Sequence, residues 1–216
     1  MCPENISFQK NKDYNSKSIQ NSLISNITKI KEFLGNSSDL VIQQLTFLQH
    51  QLAFLYISGL VDEKDIKSVL KAVKMENTYL KQKSVELDTM ETLKDIISVG
   101  DTKELIDIEQ TIKSLLSGYL VVLGDGWDCA LVLSVAGGNV RDVSPPQSQT
   151  VIRGPKDSFT ESIQTNQALI RRRLKSPNLH VKSLQIGNIS KYCLSYSCYF
   201  SIWRNDCLYH DISIFK

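Results

Sequence analysis

The sequence predicts a mixed α/β fold, with helices and strands in packed α+β layers, divided into two small subdomains of which the second is incomplete. Three observations predict it. The chain has 216 residues, of which 42% are hydrophobic and 22% charged, as in a folded globular protein with a substantial core. Helical and strand periodicities interleave over residues 16–140. A Pro- and Ser-containing stretch then separates two segments of opposite charge.

That stretch, residues 144–150, predicts a linker between the two subdomains. Residues 101–150 carry 3 basic and 7 acidic side chains, whereas residues 151–216 carry 10 basic and 4 acidic ones. The charge balance therefore changes where the linker falls. We predict a flexible N-terminal tail over 1–15, a first subdomain over 16–143 and the beginning of a second over 151–216.

Hydrophobic periodicity places the elements of the first subdomain in order. Apolar residues at steps of three and four predict helices over 16–34, 92–99 and 105–116. A further helix is predicted to begin after an N-terminal cap at Asp62. Runs rich in β-branched and aromatic residues predict strands over 41–47, 52–57, 119–123 and 129–135. Gly124, Asp125 and Gly126 indicate a turn between the last two strands.

The second subdomain begins with the most distinctive stretch of the chain. Ser158 and Glu161 have the spacing of a capping box, which predicts a helix entry there, and Pro177 ends the helix. Gly154 and Pro155 shape the approach to it. A strand is predicted over 179–186. The apolar face of the helix consists of Phe159, Ile163, Ile170 and Leu174.

Three successive arginines, Arg171, Arg172 and Arg173, close this helix. Because each helical residue turns by about 100°, they spread over about 200° and cannot form one flat patch. Cations also stabilise the negative C-terminal end of a helix dipole. We therefore expect a solvated or partner-facing helix end and no nucleic acid. The alternative, a nucleic-acid-binding or other interaction module, depends on the basic 151–216 segment and its aromatic residues: Tyr192, Tyr196, Tyr199, Phe200 and Trp203.

Neither enzymatic nor metal chemistry is favoured by the sequence. It contains no G-x-S-x-G, H-E-x-x-H, P-loop or G-x-G-x-x-G motif. His50 is interpreted as a surface-loop residue, and His180 begins a strand with no carboxylate in its local sequence. Cys193, Cys198 and Cys207 are spaced too widely for a typical zinc site, so reduced thiols are favoured. We expect no catalytic residue, metal or other cofactor.

The chain as written is expected to be soluble and cytoplasmic. Its longest apolar runs are far shorter than the roughly 20 residues that cross a bilayer. Residues 1–12 are polar and Asn-rich and contain no apolar run that could serve as a signal peptide.

Two long motifs resemble a known family. Residues 151–162 read V-I-R-G-P-K-D-S-F-T-E-S and residues 166–179 read N-Q-A-L-I-R-R-R-L-K-S-P-N-L. They closely resemble the hallmark of the A subunits of spore germinant receptors, the GerA family: V-I-R-G-P-[RK]-x-x-F-T-E, then N-x-x-L-[IV]-R-[RK]-R-[IL]-K-x-P-x-L. Residues 56–62, Y-I-S-G-L-V-D, are similar to a further family segment. The resemblance covers residues 20–190, nearly the whole chain.

The resemblance implies a role in nutrient-triggered spore germination. Family members join a soluble, cytoplasm-facing region to membrane helices in the spore inner membrane. They work with B and C subunits and further copies of the A subunit, and a nutrient germinant is implied as a ligand. The hallmark residues are candidate interdomain or subunit contacts: Arg153, Gly154, Pro155, Phe159, Thr160, Glu161, Asn166, Arg171, Arg172 and Arg173.

The similarity fades after residue 191, where the family continues with an apolar strand, a second turn and more soluble structure. Residues 199–206 align on that turn as a degraded copy of residues 56–63. We therefore expect a truncated chain whose second subdomain lacks the remaining partners of its strand, because one helix and one strand cannot bury their apolar faces alone. The alternative to a working receptor part is a nonfunctional, frame-disrupted remnant.

Overall fold

A computed structural model describes residues 18–83, 88–97, 102–135, 162–186, 192–201 and 208–214. The helices are α1 (Leu23–Phe33), α2 (Glu63–Lys83), α3 (Thr89–Ile97), α4 (Ile108–Leu116) and α5 (Ile163–Arg173). The strands are β1 (Leu40–Phe47), β2 (His50–Ile57), β3 (Thr102–Leu105), β4 (Leu120–Gly124), β5 (Ala130–Leu133), β6 (Leu179–Ile186), β7 (Tyr192–Ser201) and β8 (Leu208–Ile214). The predicted mixed α+β class is confirmed.

A five-stranded sheet, in the order β1-β2-β4-β5-β3, forms the centre of the first part. All its pairings are antiparallel. The β1–β2 hairpin pairs Leu40 with Ile57 and Phe47 with His50. Strand β4 and residues 52–57 of β2 are buried and apolar on both faces, because helices cover the sheet from two sides.

Two hydrophobic cores lie on opposite faces of this sheet. Along β2, Ala53, Leu55 and Ile57 belong to one core, which also holds the apolar stripes of α1 and α4. The alternate residues Leu52, Phe54 and Tyr56 belong to the other core, under α2 and α3. Because side chains in a strand alternate between faces, one strand serves both cores and the fold has three layers.

A second, three-stranded antiparallel sheet follows α5, in the order β6-β7-β8. The prediction that β6 lacks sheet partners is wrong, because β7 pairs with β6 from Leu179–Tyr199 to Ile186–Tyr192. Residues 199–201 end strand β7, and residues 202–206, which the alignment places on the turn after β2, lie outside the described residues. The expected exposure of the α5 apolar face holds for Leu174, 37% exposed, but not for the buried Ile170.

Several helices begin later than the sequence predicted. Helix α1 begins at Leu23, where the Ser22 side chain accepts from the Ser25 N–H, and not at residue 16. Helix α4 begins at Ile108 behind an Asp107 cap. Leu105, assigned to that helix from periodicity, ends the short strand β3, which the sequence analysis missed.

Helix α5 begins at Ile163, because Ser162 is extended and its side chain accepts from the Thr165 N–H. The predicted Ser158–Glu161 capping box, and with it Phe159, lies outside the described residues. The helix ends at Arg173, before Pro177 as predicted. His50, expected in a loop, is the exposed first residue of β2.

Candidate functional site

Arg171, near the end of α5, is the largest fully buried side chain described. It is 1% exposed, although the sequence analysis expected it on a solvated or partner-facing helix end. That expectation was wrong for Arg171, because the guanidinium enters a pocket made by the segment between α1 and β1. Its exposed neighbour Arg173 and the half-buried Arg172 point elsewhere, as the 100° helical turn requires.

The guanidinium of Arg171 is held by a bidentate ion pair. Its Nε donates to Oδ2 of Asp39 over 2.7 Å, and Nη2 donates to Oδ1 over 3.1 Å. Nη2 also donates to Oγ of Ser37 over 2.9 Å, and Nη1 to the carbonyl oxygen of Ser176 over 3.2 Å. Both charged side chains are almost fully enclosed, at 1% and 0% exposure. Such planar, two-point pairing with a carboxylate is characteristic of arginine.

Strand β6 joins the same network through Ser37. The Ser37 hydroxyl accepts from the Val181 N–H over 2.7 Å, and the Ser38 N–H donates to the Val181 carbonyl over 2.8 Å. The Ser38 and Ser183 hydroxyls lie 3.1 Å apart. We call this set of residues the junction: Ser37, Ser38, Asp39, Arg171, Val181 and Ser183. It fastens α5 and β6 to the α1–β1 segment.

The α1–β1 segment reaches the junction because α1 ends in a Schellman motif. The Asn36 N–H donates to the Lys31 carbonyl over 2.8 Å, and the Gly35 N–H donates to the Glu32 carbonyl over 3.0 Å. Gly35 has φ +62°, and a Cβ there would lie 2.3 Å from the His180 ring. Only glycine fits against the ring at this position.

His180 is half-buried at this contact. Burial lowers the pKa of its imidazole, and the positive charges of Arg171 and Lys182 lower it further, while Asp39 acts in the opposite direction. Asp39 is absent from the local sequence of His180 because it comes from a distant part of the chain. Burial and the flanking cations thus favour the neutral ring.

A second contact joins α5 to the first part of the chain. A Cβ built on Gly59 would lie 3.0 Å from the Ala168 Cβ, so helix and turn approach closely. Beside them lies a cleft of about 390 Å³ between the start of α2 and α5. Its charged lining residues are Asp62, Glu63, Lys64, Lys67 and Arg172.

Of the other hallmark residues, Asn166 is buried at 1% exposure on the inner face of α5. Its backbone N–H donates to the Ser162 carbonyl over 3.1 Å. The remaining hallmark residues lie outside the described residues: Arg153, Gly154, Pro155, Phe159, Thr160 and Glu161. Sequence reasoning missed Ser37 and Asp39 altogether, because a serine and an aspartate before an apolar strand carry no local signal.

Cys129, between β4 and β5, has a buried, free thiol. Burial raises the pKa of this thiol, and the nearby carboxylate of Glu104 raises it further. A raised pKa disfavours the nucleophilic thiolate. Within the described ranges, no three His, Cys, Asp or Glu side chains are grouped to hold a metal ion.

The chain belongs to the Bacillus/Clostridium GerA spore germination protein family, whose model matches residues 28–202. It is similar in structure to the N-terminal domain of the A subunit of the Bacillus megaterium spore germinant receptor GerK3. That likeness has a TM-score of 0.66 and 28% identity, and covers 87% of this chain and 68% of the solved chain.

Its relatives include proteins of Bacillus subtilis strain 168. Spore germination protein KA is 33% identical over 180 residues, covering 80% of this chain and 32% of the relative. The uncharacterized membrane protein YfkQ is 28% identical over 180 residues, covering 83% of this chain and 34% of the relative. The chain thus spans about a third of the length of these curated relatives. In the described residues, no helix is long and apolar enough to cross a membrane.

Proposed function

We propose that this chain is the N-terminal region of a spore germinant receptor A subunit that takes part in nutrient-triggered germination. The observation that carries the proposal is the agreement of the family match over 28–202 with the fold of a solved A-subunit N-terminal domain. The chain would work in a receptor with B and C subunits and further A subunits, on the cytoplasmic side of the spore inner membrane. The membrane context is supported by the relative YfkQ, which is described as a membrane protein.

Within such a receptor, the junction would hold the two parts of the region in one orientation. Arg171 and Asp39 come from positions 132 residues apart, and both side chains of their ion pair are buried. Other hallmark residues, such as Arg153, Glu161 and Arg172, would then contact further parts of the same subunit or its partners. This division assigns Arg171 to the internal fold and leaves the other hallmark positions for assembly.

Deletion of the gene in its own organism tests the proposed function. Spores lacking it should lose less optical density after nutrient addition than wild-type spores do, and the wild-type gene should restore the response. The wild-type response in deleted spores, over a panel of amino acids, sugars and nucleosides, would contradict the proposal and favour a nonfunctional remnant.

Substitutions in an intact relative test the hallmark residues separately. Arg153→Ala and Glu161→Ala should impair receptor assembly or germination. Receptor level in spore membranes, measured by immunoblot, distinguishes lost assembly from lost response. Wild-type receptor level together with a wild-type nutrient response in both variants would contradict the assigned role.

A further inference from the structure

Helix α2 presents a row of lysines to solvent. Lys64, Lys67, Lys71, Lys74 and Lys81, here named the lysine stripe, are all exposed. Their spacing of three, four, three and seven residues places them within about 100° of the helix circumference and along about 26 Å of its length. The neutral Thr78 fills the missing step and is also exposed.

The charge of the stripe is largely uncompensated. Lys67 pairs with Glu63 over 3.3 Å, in an exposed i,i+4 pair that is screened by water. Within the part of the chain that the structure describes, no carboxylate lies within salt-bridge distance of the four other lysines. The remaining acids of α2, Asp65 and Glu76, lie on the opposite border of its exposed face by helical periodicity.

Large apolar side chains lie next to the stripe. Met75 is 64% exposed and Tyr79 is 50% exposed, and helical geometry places them about 20° and about 60° beyond the edge of the lysine row. Lys67, Lys71, Lys74 and Met75 line one side of a shallow groove, and Gln43 of strand β1 lines the other. Strand β1 contains no charged residue in its eight positions, so this strand supplies no carboxylate to the lysines.

The helix is fixed in place against the sheet. Its buried face packs Ile66, Leu70 and Val73 into the core, and the Asn77 side chain bonds the β1–β2 turn. The Asn77 Oδ1 accepts from the Leu48 N–H, and Nδ2 donates to the Thr46 carbonyl, both over 2.8 Å. The basic face therefore belongs to a helix that is already folded and packed against the sheet before it meets a partner.

We infer that this face of α2 docks on the anionic surface of a lipid bilayer. A straight row of lysines with flexible, hydrated ammonium groups matches a layer of phosphate headgroups, whereas bidentate recognition of one partner would call for arginine. Met75 and Tyr79 supply the apolar and amphipathic side chains that enter the boundary between headgroups and acyl chains. The inference rests on the proposed function, because that function places the chain beside a membrane.

Vesicle co-sedimentation of the full chain tests the inference. The chain should pellet with vesicles of phosphatidylcholine mixed with phosphatidylglycerol, but not with phosphatidylcholine alone, and added salt should weaken the binding. The triple variant Lys67→Gln, Lys71→Gln, Lys74→Gln should bind anionic vesicles roughly tenfold more weakly or worse. Met75→Ser with Tyr79→Ser should reduce binding without changing its salt dependence.

A matched control removes the same charge elsewhere. Lys31→Gln, Lys103→Gln, Lys113→Gln alters exposed lysines of α1, β3 and α4 and should bind as the wild-type chain does. Circular dichroism of both triple variants confirms that they fold. Equal losses in the two variants, or equal wild-type binding to both vesicles, would overturn the inference.

The same variants test two other kinds of partner, a second copy of the chain and duplex DNA. The chain could self-associate without lipid, in a way that is weakened by salt and lost only in the stripe variant. That result would assign the face to a second copy of the chain and overturn the inference. Stripe-dependent binding to duplex DNA without binding to anionic vesicles would overturn it as well. The proposed function is tested separately, because a germination defect of the deleted strain does not depend on vesicle binding by α2.

Discussion

The Arg171–Asp39 pair shows how one residue can join two parts of a chain. Removing a guanidinium and a carboxylate from water costs several kcal/mol each, so the pair is tolerated only because its hydrogen bonds are made inside. Four such bonds hold the guanidinium, to Asp39, Ser37 and Ser176. The pair therefore specifies which segments meet, while the apolar cores provide most of the stability.

Replacing Arg171 by a neutral side chain should show how unfavourable it is to bury the Asp39 carboxylate alone. Arg171→Met leaves the Asp39 carboxylate buried without its partner, so we expect the free energy of unfolding to fall by about 3–5 kcal/mol. Urea denaturation followed by circular dichroism measures it. Lys175→Met, at an exposed position just after the helix, should change stability by less than about 0.5 kcal/mol. Equal effects of the two substitutions would contradict the structural role of the pair.

His180 should make stability depend on pH. Because the pKa of its imidazole is lowered in the folded chain, the unfolded chain binds more protons just below the ordinary histidine pKa of about 6.5. The contribution of the neutral ring is complete above that pH and is lost as the pH falls through the lowered folded-state pKa. We expect the unfolding free energy to decline more steeply from about pH 7 to pH 5 than it does in His180→Gln. Parallel pH profiles of the two proteins in urea titrations would refute this.

At the level of secondary-structure elements, the C-terminal end of α1 sets the direction in which the chain enters the junction. Its Schellman motif turns the chain so that Ser37 and Asp39 follow within one short segment. Gly35 is needed both for the positive φ and for the His180 ring above it. The two requirements can be separated experimentally.

Alanine substitutions at two glycines separate the requirement for a positive φ from the contact with the His180 ring. Gly35→Ala should destabilise the chain by more than the roughly 1 kcal/mol expected for a left-handed backbone position alone, because the His180 ring must also move. Gly126→Ala is the matched control, since its φ is +84° but nothing lies within 4 Å of the added Cβ. Adding His180→Ala to Gly35→Ala should recover part of the loss. The same loss for both single variants, measured in urea, would remove the ring from the explanation.

Local sequence signals predicted most elements of the first part. The β1–β2 hairpin and α2 follow directly from residue preference and periodicity, and the Asp62 side chain accepts from the Lys64 N–H as a cap should. Strand β3 was missed because it has only four residues, three of them exposed, so its sequence carries no apolar alternation. The beginning of α5 was misplaced because Ser158, like Ser162, offers a capping hydroxyl, and the local sequence does not rank the two.

At the scale of the whole molecule, the two sheets meet through α5 and β6. Ala168 of α5 belongs to the core beneath α1 and α4, and Leu179 and Val181 of β6 are fully buried. None of these contacts is predictable from periodicity, which reports which face is apolar but not what covers it. The buried Arg171 was misjudged for that reason, since its carboxylate partner lies 132 positions away.

Strands β7 and β8 should protect the second part from association. A chain ending after Ile186 leaves the hydrogen-bonding edge of β6 unpaired, although Leu179 and Val181 stay apolar. We expect this shortened chain to self-associate in sedimentation velocity and to melt at a lower temperature than the full chain. A chain ending after Ser201, which keeps the β6–β7 pairing, should be affected less. A monomer with the full-length melting temperature would show that β6 needs no partner.

The long separation between Asp39 and Arg171 also has a consequence during synthesis. At about 5–20 residues per second, a ribosome needs about 7–26 s to add Arg171 after Asp39. Helix α1 and the β1–β2 hairpin can form in that interval, while the Asp39 carboxylate remains hydrated. A nascent chain therefore contains the Asp39 carboxylate before its arginine partner has been made. The two parts of the region join only when Arg171 pairs with Asp39.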